Sequence, residues 1–172
     1  MKLNVPLLII ILILGLGVLC SYIPMILDIR KNNNSKSYWG LDSKQRIPYY
    51  VFIILAVFGF LTFIIYYLDK ENKPEKGLFS KKYVLEILMA ILLIFSILWS
   101  VFIYLSVNKG GKIYKSLCSA SLIVVAICSI LLLAGTTTDH VAPAYVIAGI
   151  ILFSTVTVLS DAVGWNARFL QK

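Results

Sequence analysis

Five apolar runs, each about as long as a helix needs to be to cross a bilayer and each closed off by charge, leave this 172-residue chain few folds to choose from. They are Val5 to Leu27, Pro48 to Leu68, Tyr83 to Val107, Ile113 to Gly135 and Val141 to Val163. A helix crossing a ~30 Å apolar layer needs about 20 predominantly apolar residues. Backbone in such a layer has no water to bond, so each run must satisfy its own N–H and C=O groups as helix. The period-two alternation of a membrane barrel strand is missing from all of them. With 60% hydrophobic and only 14% charged residues, a chain this short could not hide its apolar surface as a soluble domain, because small domains leave a large share of their surface in water. The expected fold is an all-α membrane protein: one polytopic domain over residues 1–172, built as a bundle of five transmembrane helices in a lipid bilayer.

The first run has a second interpretation. Met1-Lys2 followed by an apolar stretch to Cys20-Ser21 has the outline of a signal peptide, and its cleavage would leave four helices. Because the stretch runs on through Tyr22, Ile23, Met25, Ile26 and Leu27, past the length of an ordinary signal core, the span is preferred. Gly15, Gly17 and Pro24 mark it as kinked and less firmly held than the others.

Loop length decides which helices must be neighbours. Asn108 to Lys112 and Thr136 to His140 are five-residue links, so the third, fourth and fifth spans should form a tight antiparallel series. No internal repeat supports an inverted-repeat architecture. Of the 16 Lys and Arg residues, ten fall on the side of Arg30, Lys31, Lys36, Lys44, Arg46, Lys109, Lys112, Lys115, Arg168 and Lys172, and six on the other. The excess marks the first side as cytoplasmic, with the N-terminus outside and the C-terminus inside. The sequon Asn33-Asn34-Ser35 would be modified only if its loop faced a secretory lumen. Tyrosines near the span ends, Tyr22, Tyr49, Tyr50, Tyr66, Tyr67, Tyr83, Tyr104, Tyr114 and Tyr145, together with Trp165, read as an interfacial belt, whereas Trp99 lies well inside the third span.

Ionisable groups inside spans cost about 2.5 to 3.5 kcal/mol at mid-depth and therefore need a partner or a role. Glu86 enters the third span one turn from its start, Lys115 does the same in the fourth, and Asp161 stands near the end of the fifth. Lys115 and Asp161 fall at similar depth on neighbouring helices and are expected to form an ion pair; the alternative is that Asp161 serves a proton or cation path. Glu86 shares its face with Lys81, Lys82 and His140, any of which could neutralise it, while Asp139 suits the N-terminus of the last helix. Ala144 with Ala148 and Ser160 with Gly164 have the small-xxx-small spacing that lets helices approach closely.

Chemistry is thinly provided for. No G-x-S-x-G elbow, H-E-x-x-H pair or K⁺-filter sequence occurs, and His140 is the sole histidine. Cys20, Cys118 and Cys128 sit in apolar runs as small packing residues. No catalytic residue, metal or cofactor is expected, and no nucleic-acid partner. The expected role is non-enzymatic: a subunit, assembly factor or organiser working through helix packing and basic loops, partnered by other membrane subunits or copies of itself. The net charge of +8 suits anionic headgroups or an acidic partner. The alternative is a small transporter or channel for an ion or small solute, whose carboxylates would face a hydrated interior.

Overall fold

Each of the five apolar runs is helical in the computed structural model, which describes residues 2–32, 37–38, 43–72, 74, 76–81, 83–138 and 142–167. The sequon, Asp139, His140 and Arg168 lie outside the described residues. Five helices are long and apolar enough to cross a membrane: Val5–Asn32, Tyr49–Leu68, Val84–Asn108, Lys112–Thr138 and Ala144–Trp165. Extended pairing among the described residues is confined to one bridge, between Leu3 and Asp69.

Helix α1 (Val5–Ser21) starts where Asn4 caps it, the side-chain oxygen accepting the Leu7 N–H at 3.3 Å. Pro6 fits the first turn because its missing N–H would have no partner there. The helix breaks at Tyr22 and resumes as α2 (Ile23–Asn32). Pro24 supplies the reason for the expected kink, since it can donate no hydrogen bond back and its ring crowds the preceding turn. Arg30 and Lys31 then complement the exposed carbonyls that end α2.

Helix α3 (Ser43–Leu68) is followed, after two short 3₁₀ turns, by α4 (Val84–Asn108) and α5 (Lys112–Thr138). Gly110 and Gly111 form the turn between these last two with φ of +69° and +101°, a backbone that a Cβ would strain. The final span begins as α6 (Ala144–Thr155) and continues from Val156 to Trp165 as a wider π-helix. A π-helix usually lasts a single turn, so ten residues of it is an unusual length.

The packed pairs follow a ring: α1 lies on α4, α4 on α5, α5 on α6 and α6 on α3. Closure from α3 back to α1 is thin. Those two helices are clasped at one end, where the Asn4 N–H donates to the Leu68 carbonyl at 2.7 Å and the Lys70 N–H to the Lys2 carbonyl at 2.7 Å. Contact between α3 and α6 is set by a glycine pair that the small-residue spacings did not mark: a Cβ on Gly59 would stand 2.3 Å from the Gly149 carbonyl oxygen. Ala144 and Ala148 are exposed instead, on the outer side of α6.

Two cores fill the ends of the ring. At the clasped end Phe63, Tyr67 and Phe79 pack ring on ring, and Phe79 lies over Gly135 so closely that a Cβ there would meet it at 2.3 Å. At the other end Met25, Tyr38, Trp99, Ile103, Cys118 and Trp165 cluster. The Tyr38 hydroxyl donates to Asp28 at 2.5 Å and accepts from the Asn108 amide at 2.9 Å, while its carbonyl accepts the Trp165 indole N–H at 3.1 Å. One residue thus ties α2, α4 and the end of the last span together. Burial above all, and then the bond to Asp28, hold the Tyr38 phenol well above the ordinary tyrosine range. The expected aromatic belt is accordingly incomplete: Tyr66, Tyr67 and Trp165 are buried, whereas Tyr50, Tyr83 and Tyr145 are exposed. Trp99 packs between Tyr22 and Trp165.

Candidate binding cavity

Two irregularities of the helices, and the start of a regular one, bring polar groups to one place inside the ring. The break at Pro24 leaves Tyr22 at a corner of the first span, the first full turns of α3 carry Tyr49, and the π-helical end of the last span carries Asp161. The Tyr49 hydroxyl donates to Asp161 Oδ1 at 2.7 Å, joining residues 112 positions apart. Asp161 is half-buried, and its second oxygen has no hydrogen-bond partner among the described residues.

That carboxylate opens on a cavity of about 360 Å³ lined from all five spans, including Tyr22, Tyr49, Phe60, Trp99, Leu122 and Asp161. The remaining polar lining groups are Ser96 and Thr157, whose hydroxyls donate to the Leu92 and Phe153 carbonyls one turn earlier, at 2.8 Å each. Among the described residues, the lining holds one carboxylate and no lysine, arginine or histidine. Toward the clasped end the cavity stops on Phe60 and Phe153, stacked with centroids 4.6 Å apart. The Phe63–Tyr67–Phe79 cluster lies one turn further along α3.

The cavity also reaches the outside of the bundle between α1 and α3. Leu19 and Val57 both line it, yet they are 68% and 50% exposed. A side chain that borders an interior space and the outer surface at once stands at an opening, and this one coincides with the thin closure of the ring.

Of the residues singled out by sequence, Asp161 is in this site and Glu86 is not. Glu86 lies buried near the start of α4, at the clasped end, where Oε1 accepts from the Asn4 side-chain amide at 3.1 Å and Oε2 has no partner among the described residues. Lys115 is half-buried in the first turn of α5 and does not line the cavity. His140 lies outside the described residues. The hydrogen bond found at Asp161 comes from Tyr49, which the sequence marked only as a depth anchor. No spacing could have paired them, although Pro24 did point to the break that places Tyr22. Among the described residues no three His, Cys, Asp or Glu side chains are grouped as a metal site. No protein-family model, no curated protein and no solved structure matches the chain.

Proposed function

We propose that the chain is an integral, multi-pass membrane protein that works as a small carrier, taking a solute into the cavity against Asp161. The observation that carries this is a pocket, ending on aromatic rings and lined by all five spans, that contains, among the described residues, a single carboxylate with one oxygen unengaged. Ligand sites are concave, mostly apolar spaces of about 300 to 1,000 Å³ with a few convergent polar groups, and a carboxylate inside a span marks a substrate or ion path by default. A channel needs a continuous route, which the Phe60–Phe153 stack interrupts. On the basic-side count, Asp161 and the mouth of the cavity belong to the cytoplasmic half of the membrane.

A subunit or organiser role is the second reading, favoured by the first span. Only Leu7 of α1 is buried, and Ile9, Leu12, Ile13, Leu16 and Leu19 are each at least half exposed, a face open to lipid or to another chain. Native mass spectrometry after gentle detergent extraction separates the two. The carrier reading expects the chain alone or as a homo-oligomer, with a small-molecule adduct that disappears when Val57→Trp fills the cavity. Fixed stoichiometry with different proteins, and no adduct sensitive to Val57→Trp, would overturn it in favour of the subunit reading.

A further inference from the structure

The hydrogens and lone pairs around the cavity are unequally matched, and the imbalance says what kind of solute fits. Tyr49 commits its hydroxyl hydrogen to Asp161, and Ser96 and Thr157 commit theirs to carbonyls of their own helices. What Asp161, Ser96 and Thr157 still offer is lone pairs: the second Asp161 oxygen and the two hydroxyl oxygens. Among the described lining residues the donors without a hydrogen-bond partner are the Tyr22 hydroxyl and the Trp99 indole N–H, and the latter is buried. Among the described residues the lining is rich in acceptors, with one negative group and no cation, which disfavours carboxylates and phosphates. It receives a group with several hydrogens and a positive charge.

The walls add a second requirement. The Tyr22 and Trp99 rings lie 5.8 Å apart at 57°, at the same end as Asp161, and aromatic rings attract a cation placed within about 6 Å of their faces. The rest of the lining is aliphatic or phenyl, ending on Phe60 and Phe153. A cavity of about 360 Å³ has room for a compact amine. The opening at Leu19 and Val57 faces sideways between two apolar helices, which suits a solute that already partitions into the bilayer.

Building on the carrier reading, we propose that the cavity binds a compact apolar monoamine, with its protonated nitrogen on Asp161 and its apolar body against Phe60 and Phe153, entering laterally between α1 and α3. The test uses the full chain in lipid nanodiscs at pH 7 and three probes of one shape: 2-phenylethylamine, 2-phenylethanol and phenylacetate, with partitioning into empty nanodiscs subtracted. The amine is expected to bind about tenfold or more tighter than the alcohol, and the acid not to bind. Asp161→Asn should bring the amine down to the alcohol's affinity. Tyr49→Phe, which removes the tether and leaves the carboxylate, should keep the preference, and it decides the matter if Asp161→Asn does not fold. Equal affinity for amine and alcohol in the wild type, both lost in Val57→Trp, would overturn the amine assignment and leave the carrier reading standing. An amine preference that survives in a folded Asp161→Asn protein would also overturn it. If no probe binds and the native adduct is indifferent to Val57→Trp, both fall together.

Discussion

Glu86 and Asp161 occupy opposite ends of the ring, and their surroundings give them different work. Glu86 is 8% exposed and Asn4, which bonds it, is 7% exposed, so the pair is sealed within the clasp between the N-terminal segment and the end of α3. Removing one partner of a buried hydrogen bond leaves the other unsatisfied, at about 1–3 kcal/mol. Asn4→Ser keeps a good helix cap for α1 but no longer reaches Glu86. It should therefore lower stability by about that amount in thermal unfolding of the purified protein. In a Glu86→Leu background the same substitution should cost little, because the acceptor it deprives is already gone. An equal cost in both backgrounds would assign the effect to the cap and leave Glu86 without a structural role. Asp161 has no such seal, which is why it and not Glu86 is placed in the solute site.

At the scale of elements, the helices were legible because their lengths and apolar content leave the backbone no other way to satisfy itself. Pro24 gave away the break in the first span, and the short Gly110–Gly111 link gave away the α4–α5 pair. The π-helical stretch was not legible. Its residues Val156 to Trp165 read as ordinary apolar helix, and two of its side chains are held from far off, Asp161 by Tyr49 and Trp165 by Tyr38. Nor was the α3–α6 contact, since Gly59 and Gly149 stand on different helices with no shared spacing. Close approach of helix backbones at small residues is a main source of association in lipid, and forcing extra atoms into packed contacts costs about 1–3 kcal/mol. Gly59→Ala should reach the upper part of that range, because its Cβ would meet backbone, the Gly149 oxygen at 2.3 Å. Gly149→Ala should cost about as much, since its Cβ would meet the Gly59 carbonyl oxygen at 2.7 Å as well as Thr62 Oγ1 at 2.4 Å. Gly15→Ala, with nothing within 4 Å, is the control and should be neutral or stabilising by up to about 1 kcal/mol. Loss of stability at Gly15 equal to that at Gly59 would mean that helix flexibility, not backbone approach, is what these glycines supply.

For the whole molecule, sequence reached the number of helices and the neighbours joined by short links, but not the ring. Its order, α1–α4–α5–α6–α3, brings the first and second spans together only at the clasp, and the cavity follows from that incomplete closure. A seam fixed at one end and lined by separated side chains at the other should vary in width, because few buried contacts hold it. Spin labels at Leu19→Cys and Val57→Cys, in a background where Cys20, Cys118 and Cys128 are alanine, would report that width by pulsed electron–electron distance measurement. A second pair on the outward faces of α4 and α5, Ile87→Cys and Ile130→Cys, spans the most extensive packing in the bundle and serves as the rigid reference. The seam pair should give the broader distribution and narrow when 2-phenylethylamine fills the cavity, while the reference pair stays unchanged. Were the seam as narrow as the reference and indifferent to the amine, lateral entry between α1 and α3 would be wrong, and the solute would have to reach Asp161 past Tyr22 and Tyr49 from the basic face.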